Sequence, residues 1–139
     1  MTPESLFSAF STFVLLGWVA LLVAPLRRSL AVTVARWVAV ILCGGYFAML
    51  VAGMAGPGPP PGASFDSLAG VRLLLSTPEA LLAGWVHYLA FDLFVGAWQV
   101  EDAPAANVPH WLVLPCLGLT FVAGPVGLLL YFGIKAVRR

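Results

Sequence analysis

Residues 76–102 read STPEALLAGWVHYLAFDLFVGAWQVED, and the fold is decided by how this stretch is read. Ser76-Thr77-Pro78-Glu79 spells a helix start. A hydroxyl caps the first free amides, a proline sits in the first turn where its missing donor is not needed, and an acid stands at the positive end of the helix dipole. From about residue 80 to 98 the chain then stays apolar. That is close to the roughly 20 residues a helix needs to cross about 30 Å of hydrocarbon. Between Glu79 and Glu101 its only imidazole and only carboxylate are His87 and Asp92. No polar face for water can be drawn on such a helix, so it is read as a membrane span.

Three further windows have the same character. One covers about residues 6–24, closed by Pro25 and the pair Arg27 and Arg28, a helix stop followed by side chains suited to headgroups. Another covers about 34–55 and ends at GPGPPPG, residues 56–62, which cannot continue a helix. The last covers about 111–134, before Lys135, Arg138 and Arg139. Between residues 65 and 75, apolar side chains alternate with Asp66, Ser67 and Arg72 over too short a run to span, which predicts a short interfacial helix. The expected fold is an all-α integral membrane protein, a single domain of 139 residues built as a four-helix transmembrane bundle with that interfacial helix between spans two and three. Pro125 inside the last window predicts a kink at Gly124-Pro125-Val126-Gly127.

Composition agrees. Apolar residues make up 61% and charged residues 9%, whereas a soluble domain carries about 25% charged residues. The net charge of +1 provides no basic patch, so nucleic acid is not an expected partner; the bilayer is. Cys43 and Cys116 both lie in apolar runs and read as small hydrophobes. Trp18, Trp37, Trp85, Trp98 and Trp111 lie mostly near span ends, as an aromatic belt would place them. Gly44, Ala48 and Ala52, and Ala123 with Gly127, recur every four residues as small residues at helix contacts do. With four spans, Arg27, Arg28 and Arg36 fall opposite Lys135, Arg138 and Arg139, so charge assigns no orientation.

His87 and Asp92 carry the functional signal. Both fall near the middle of their span, where a charged side chain costs about 2.5–3.5 kcal/mol on insertion scales, and intramembrane ionisable groups mark functional sites by default. Five positions apart, they stand about 140° from one another around the helix. Tyr88 lies one turn before Asp92 on a shared stripe that Gly84 and Gly96 extend, giving room for a neighbour or ligand. Ser11, Thr12, Tyr46 and Thr120 are candidate polar partners on other spans. The competing structural role is interhelical hydrogen bonding. Metal binding is disfavoured, because ligands on one helix sit three or four apart; the residues to test are Glu79, His87, Asp92 and His110. Haem would have one intramembrane histidine only, and transport would want an inverted repeat that is not seen.

Two stretches carry a resemblance: PEALLAGWVHYLAFDLFVGAWQVED, residues 78–102, and VPHWLVLPCLGLTFVAGPVGLLLYF, residues 108–132. With the E-x7-H-x4-D spacing of Glu79, His87 and Asp92 and the later Gly124-Pro125-Val126-Gly127, the chain resembles the neoxanthin synthase family of abscisic-acid-deficient-four-like membrane proteins over most of its length. The resemblance implies a four-helix membrane protein linked, in plant chloroplasts, to conversion of violaxanthin into neoxanthin. That step is an isomerisation needing no redox cofactor: an epoxide is protonated as it opens and a chain carbon loses a proton to form the allene. It makes His87 and Asp92 the candidate catalytic pair. Glu79, Gly84, Tyr88, Gly96, Thr120, Gly124 and Pro125 are the candidate ligand contacts, and a carotenoid or other isoprenoid is the candidate ligand. The alternative is a non-enzymatic binder or scaffold, with a homo-oligomer as a further candidate assembly. The sequence shows no transit peptide, and its Ala-, Gly-, Pro- and Val-rich composition sets the expectation of a bacterial inner membrane.

Overall fold

The computed structural model describes residues 1–138. Among them all regular structure is helical: α1 (Pro3–Leu22), α2 (Arg28–Ala55), α3 (Leu68–Leu74), α4 (Pro78–Asp102), α5 (His110–Val122) and α6 (Gly124–Arg138). Three of these, α1, α2 and α4, are long and apolar enough to cross a membrane.

The start of α4 follows its sequence: the Thr77 hydroxyl accepts from the Ala80 amide at 3.2 Å, Pro78 opens the helix and Glu79 lies in the first turn. α4 is the central element, flanked by α1, α2 and α5. α1 runs parallel to it, since Ser11 meets Trp85, Gly17 meets Leu93 and Trp18 meets Gly96 in that order. α2 runs antiparallel, because Arg36 pairs with Glu101 at one end while Tyr46 meets His87 nearer the other. Gly17 and Gly96 have physical reasons to be glycine. A β-carbon at Gly17 would stand 2.5 Å from Leu93, and one at Gly96 would stand 2.9 Å from the Trp18 ring. Trp18 is thus a core residue, 6% exposed, rather than an interfacial anchor. Trp37 and Trp111, by contrast, are 64% and 67% exposed. The Gly44, Ala48 and Ala52 stripe is exposed, and among the described residues nothing lies within 4 Å of a β-carbon on Gly44; α2 buries Ala31, Ala35, Ala39 and Leu42 instead.

The apolar window at 111–134 is not one span. α5 ends at Val122, Ala123 leaves helical geometry at φ −152°, ψ 78°, and α6 begins at Gly124. The two then fold back on each other. A β-carbon on Gly127 would stand 2.3 Å from the Thr120 amide nitrogen and 2.6 Å from the Cys116 carbonyl oxygen, contacts that only an antiparallel hairpin allows. Further along, Tyr131 and Lys135 of α6 reach Asp102, the last residue of α4, beside which α5 starts. With 13 and 15 residues, α5 and α6 are about 20 Å long each, too short to cross about 30 Å of hydrocarbon alone. The expected kink is a full reversal, and the four-span bundle becomes three long helices and a helical hairpin. Pro125 explains where the turn falls. In the interior of one long helix its ring would clash with the Phe121 carbonyl, whereas in the first turn of α6 it costs nothing.

The stretch read as an interfacial helix holds α3. Its start is capped by Ser67, whose hydroxyl accepts from the Gly70 amide at 3.0 Å, and α3 bridges from the loop after α2 to the start of α4.

Candidate functional site

A reversal of the chain beneath a membrane surface leaves carbonyls at the end of one helix and amides at the start of the next without helical partners. In hydrocarbon such groups are tolerated only where protein meets them. α4 supplies what the α5–α6 turn needs. The Tyr88 hydroxyl donates to the Val122 carbonyl oxygen at 2.8 Å, closing the end of α5. Asp92 sits against the first residue of α6, so close that a β-carbon on Gly124 would stand 2.0 Å from its Oδ1. A carboxylate belongs at that positive helix end. Two turns further along α4, Gln99, fully buried, donates to the Thr120 hydroxyl at 3.1 Å, and Thr120 in turn donates to the Cys116 carbonyl at 2.8 Å. At the end of α4, Asp102 accepts from Tyr131 at 2.8 Å and from Lys135 at 2.6 Å. The polar side chains of α4 thus form a ladder that holds the hairpin from tip to base.

One atom in this ladder stands apart. Among the described residues Asp92 Oδ2 is buried with no hydrogen-bond partner, although the Tyr88 side chain lies beside the carboxyl group. Asp92 stands about 3 Å from the midpoint of α4, the depth at which an unsatisfied carboxyl is most costly.

The other sequence candidates are distributed around this centre. His87 faces outward, stacked on Phe91 at 4.6 Å and meeting the edge of Tyr46 at 5.3 Å, so it and Asp92 are not brought together. Gly84 lies beside Leu75 and Gly96 is filled by Trp18, so the stripe they extend is occupied by the protein itself. Glu79 is exposed at the start of α4, and Pro125 is exposed at the turn. Ser11 accepts from Trp85 Nε1 at 3.1 Å, and Thr12 is exposed on α1. His110 Nε2 bonds the Leu22 carbonyl at 3.1 Å, at the opposite end of α4 from Glu79. Glu79, His87, Asp92 and His110 therefore do not converge, and among the described residues no three His, Cys, Asp or Glu side chains group as a metal site.

Sequence reasoning missed Gln99 and the pairing of Asp102 with Tyr131 and Lys135. A span taken to end at Trp98 stops one residue before this amide. Continuing the helix to Asp102 would have shown Asp92, Gln99 and Asp102 all needing partners.

An open apolar groove of about 670 Å³ runs along the outer side of the hairpin, lined by residues that include Leu112, Leu119, Val126, Leu130 and Ile134, with Arg138 at its end. No curated protein and no solved structure matches the chain. Residues 5–131 match the family model described as ABA DEFICIENT 4-like, and the chain, an all-helical integral membrane protein, belongs to this ABA4-like family.

Proposed function

We propose that this protein acts on a carotenoid or related isoprenoid within the bilayer, with Asp92 as the proton-transfer group and Tyr88 as its neighbour at the hairpin tip. The observation that carries this reading is the buried, unpartnered Oδ2 of Asp92 at mid-depth, since Tyr88, Gly124 and the helix end account for the rest of that residue's surroundings but not for this atom. Family membership supports the carotenoid association. In an epoxide-to-allene isomerisation, the acid delivers a proton to the epoxide oxygen as its C–O bond opens. A base removes one from the adjoining chain carbon, leaving no net change in protons or electrons. A carboxyl that donates first and accepts second fits both halves. His87, on the other side of α4 with Phe91 and Tyr46, fits a contact with the body of a flat polyene better than proton transfer at the same atom. The ligand residues proposed with it are Tyr88, Thr120, Gly124 and Pro125 at and beside the turn; Glu79, Gly84 and Gly96 lie away from it. A bacterial inner membrane is the proposed location.

The test is pigment analysis of cells that make epoxy-carotenoids and express the wild type, Asp92→Asn or Tyr88→Phe at equal protein levels. Conversion by the wild type and its loss in Asp92→Asn, with helicity retained, is the expected result. Conversion unaffected by Asp92→Asn would remove the proposed role.

A second reading, a binder that holds an apolar molecule unchanged, is favoured by the groove along α5 and α6. A pigment that co-purifies unaltered with both wild type and Asp92→Asn would select it.

A further inference from the structure

The hairpin changes where the charges lie. A continuous fourth crossing would put Lys135 and Arg138 on the opposite side of the membrane from Arg27, Arg28 and Arg36. The reversal at Ala123 returns α6 to the side from which α5 entered, and contacts tie that side together. Arg36 pairs with Glu101, Lys135 pairs with Asp102 at 2.6 Å, and His110 bonds Leu22 at the end of α1. Five of the six described Lys and Arg residues, Arg27, Arg28, Arg36, Lys135 and Arg138, are therefore at one end of the molecule. Among the described residues the two acids at that end are both in ion pairs, leaving Arg27, Arg28 and Arg138 without a carboxylate. The far end, which holds the start of α1, the proline-rich loop, α3 and the start of α4, carries Glu4, Asp66 and Glu79 against Arg72 alone.

We infer that the protein has three full crossings and a re-entrant α5–α6 hairpin, with its basic end on the cytoplasmic side among anionic headgroups. Short loops rich in Lys and Arg are retained on that side during insertion, and the inner leaflet's negative surface attracts them. The exposed Trp37 and Trp111 stand at the same end, at the depth where indole rings settle between headgroups and hydrocarbon. The start of α1 and the residue 56–67 loop then face away from the cytoplasm. A turn at mid-depth is physically admissible because α4 covers it, as non-helical backbone inside a membrane requires.

Single cysteines decide this. Pro59→Cys, Ala105→Cys and Ala136→Cys, each at an exposed position near an end of a helix or in a loop, are expressed in bacterial cells. They are treated with a membrane-impermeant maleimide in intact cells and in inverted vesicles, then normalised to labelling after solubilisation. The native Cys43 and Cys116, within α2 and α5, set the background. Ala105→Cys and Ala136→Cys are expected to label only in inverted vesicles and Pro59→Cys only in intact cells. Labelling of Ala105→Cys and Ala136→Cys from opposite sides would overturn the hairpin in favour of a fourth crossing, labelling of all three from the reversed sides would overturn the orientation, and any other pattern overturns both.

Discussion

Gly127 lies directly on the backbone of Thr120: the nearest atoms to a β-carbon there would be the Thr120 hydroxyl at 2.1 Å and its amide nitrogen at 2.3 Å. Backbone cannot move aside as a flexible side chain can. The α5–α6 hairpin thus closes only around a residue with no side chain.

Gly127→Ala should force the two helices apart and destabilise the protein by about 1–3 kcal/mol or more, the usual cost of overpacking. Gly133, with nothing within 4 Å of a β-carbon, is the matched control, and Gly133→Ala should leave stability unchanged or slightly raised. Thermal unfolding in detergent, followed by far-UV circular dichroism, compares the two; equal melting temperatures would mean that the hairpin is not closed as described.

Tyr88→Phe removes the donor to the Val122 carbonyl while keeping the ring that stacks on Trp85 at 5.4 Å. An orphaned carbonyl costs about 1–3 kcal/mol. The loss should concentrate at the hairpin tip, so hydrogen exchange of α5 and α6 amides near residues 122–127 should accelerate more than exchange in α2. Uniform acceleration throughout the chain would count against a local role for this bond.

Much of this architecture is legible in the sequence, and the part that is not has a definite cause. Hydropathy and length find α1, α2 and α4 because a helix of at least 20 apolar residues has few other destinations. The same measure misreads residues 111–134, since it sums apolar character along the chain and has no sense of direction: two short helices folded together look like one long one. The polar residues of α4 held the missing information. Tyr88, Asp92 and Gln99 are more than a simple lipid-facing span needs, and together with Gly124-Pro125 they indicate that broken backbone must be met at mid-depth. The 140° between His87 and Asp92 likewise indicated that they would face different neighbours, which the structure bears out with Phe91 and Tyr46 on one side and Gly124 on the other. Which small residues make close contact was not legible, because Gly44 and Gly127 look alike until the partners of each helix are known.

Gln99 and Thr120 allow the ladder to be measured directly. Both are fully buried and bond each other, so removing Thr120 strands the Gln99 amide, while removing Gln99 leaves the Thr120 hydroxyl only the Cys116 carbonyl. In a cycle of Gln99→Leu, Thr120→Val and the double variant, the singles should each be less stable than additivity with the double predicts. The coupling should be about 0.6 kcal/mol and at most about 1.7, the range found for hydrogen bonds between membrane helices. A coupling indistinguishable from zero would mean that each residue finds another partner once the first is gone.

Asp102 should prove the costlier half of its pair with Lys135. The carboxylate accepts from both Tyr131 and Lys135 through one oxygen, and the Tyr131 side chain is fully buried, with no water to replace its partner. Asp102→Leu therefore strands a buried hydroxyl as well as a cation, whereas Lys135→Met leaves Tyr131 its bond to the carboxylate and removes an ammonium that also lies over the Trp98 ring at 5.6 Å. Hydrogen bonds to charged groups contribute about 1.5–3 kcal/mol, so the aspartate variant should be less stable than the lysine variant by about one such bond. Adding Tyr131→Phe to Asp102→Leu should recover most of that difference, because it removes the stranded hydroxyl while filling the same space. Denaturation midpoints of the three variants in one detergent supply the comparison, and no recovery in the Asp102→Leu, Tyr131→Phe double variant would place the cost on the lysine instead.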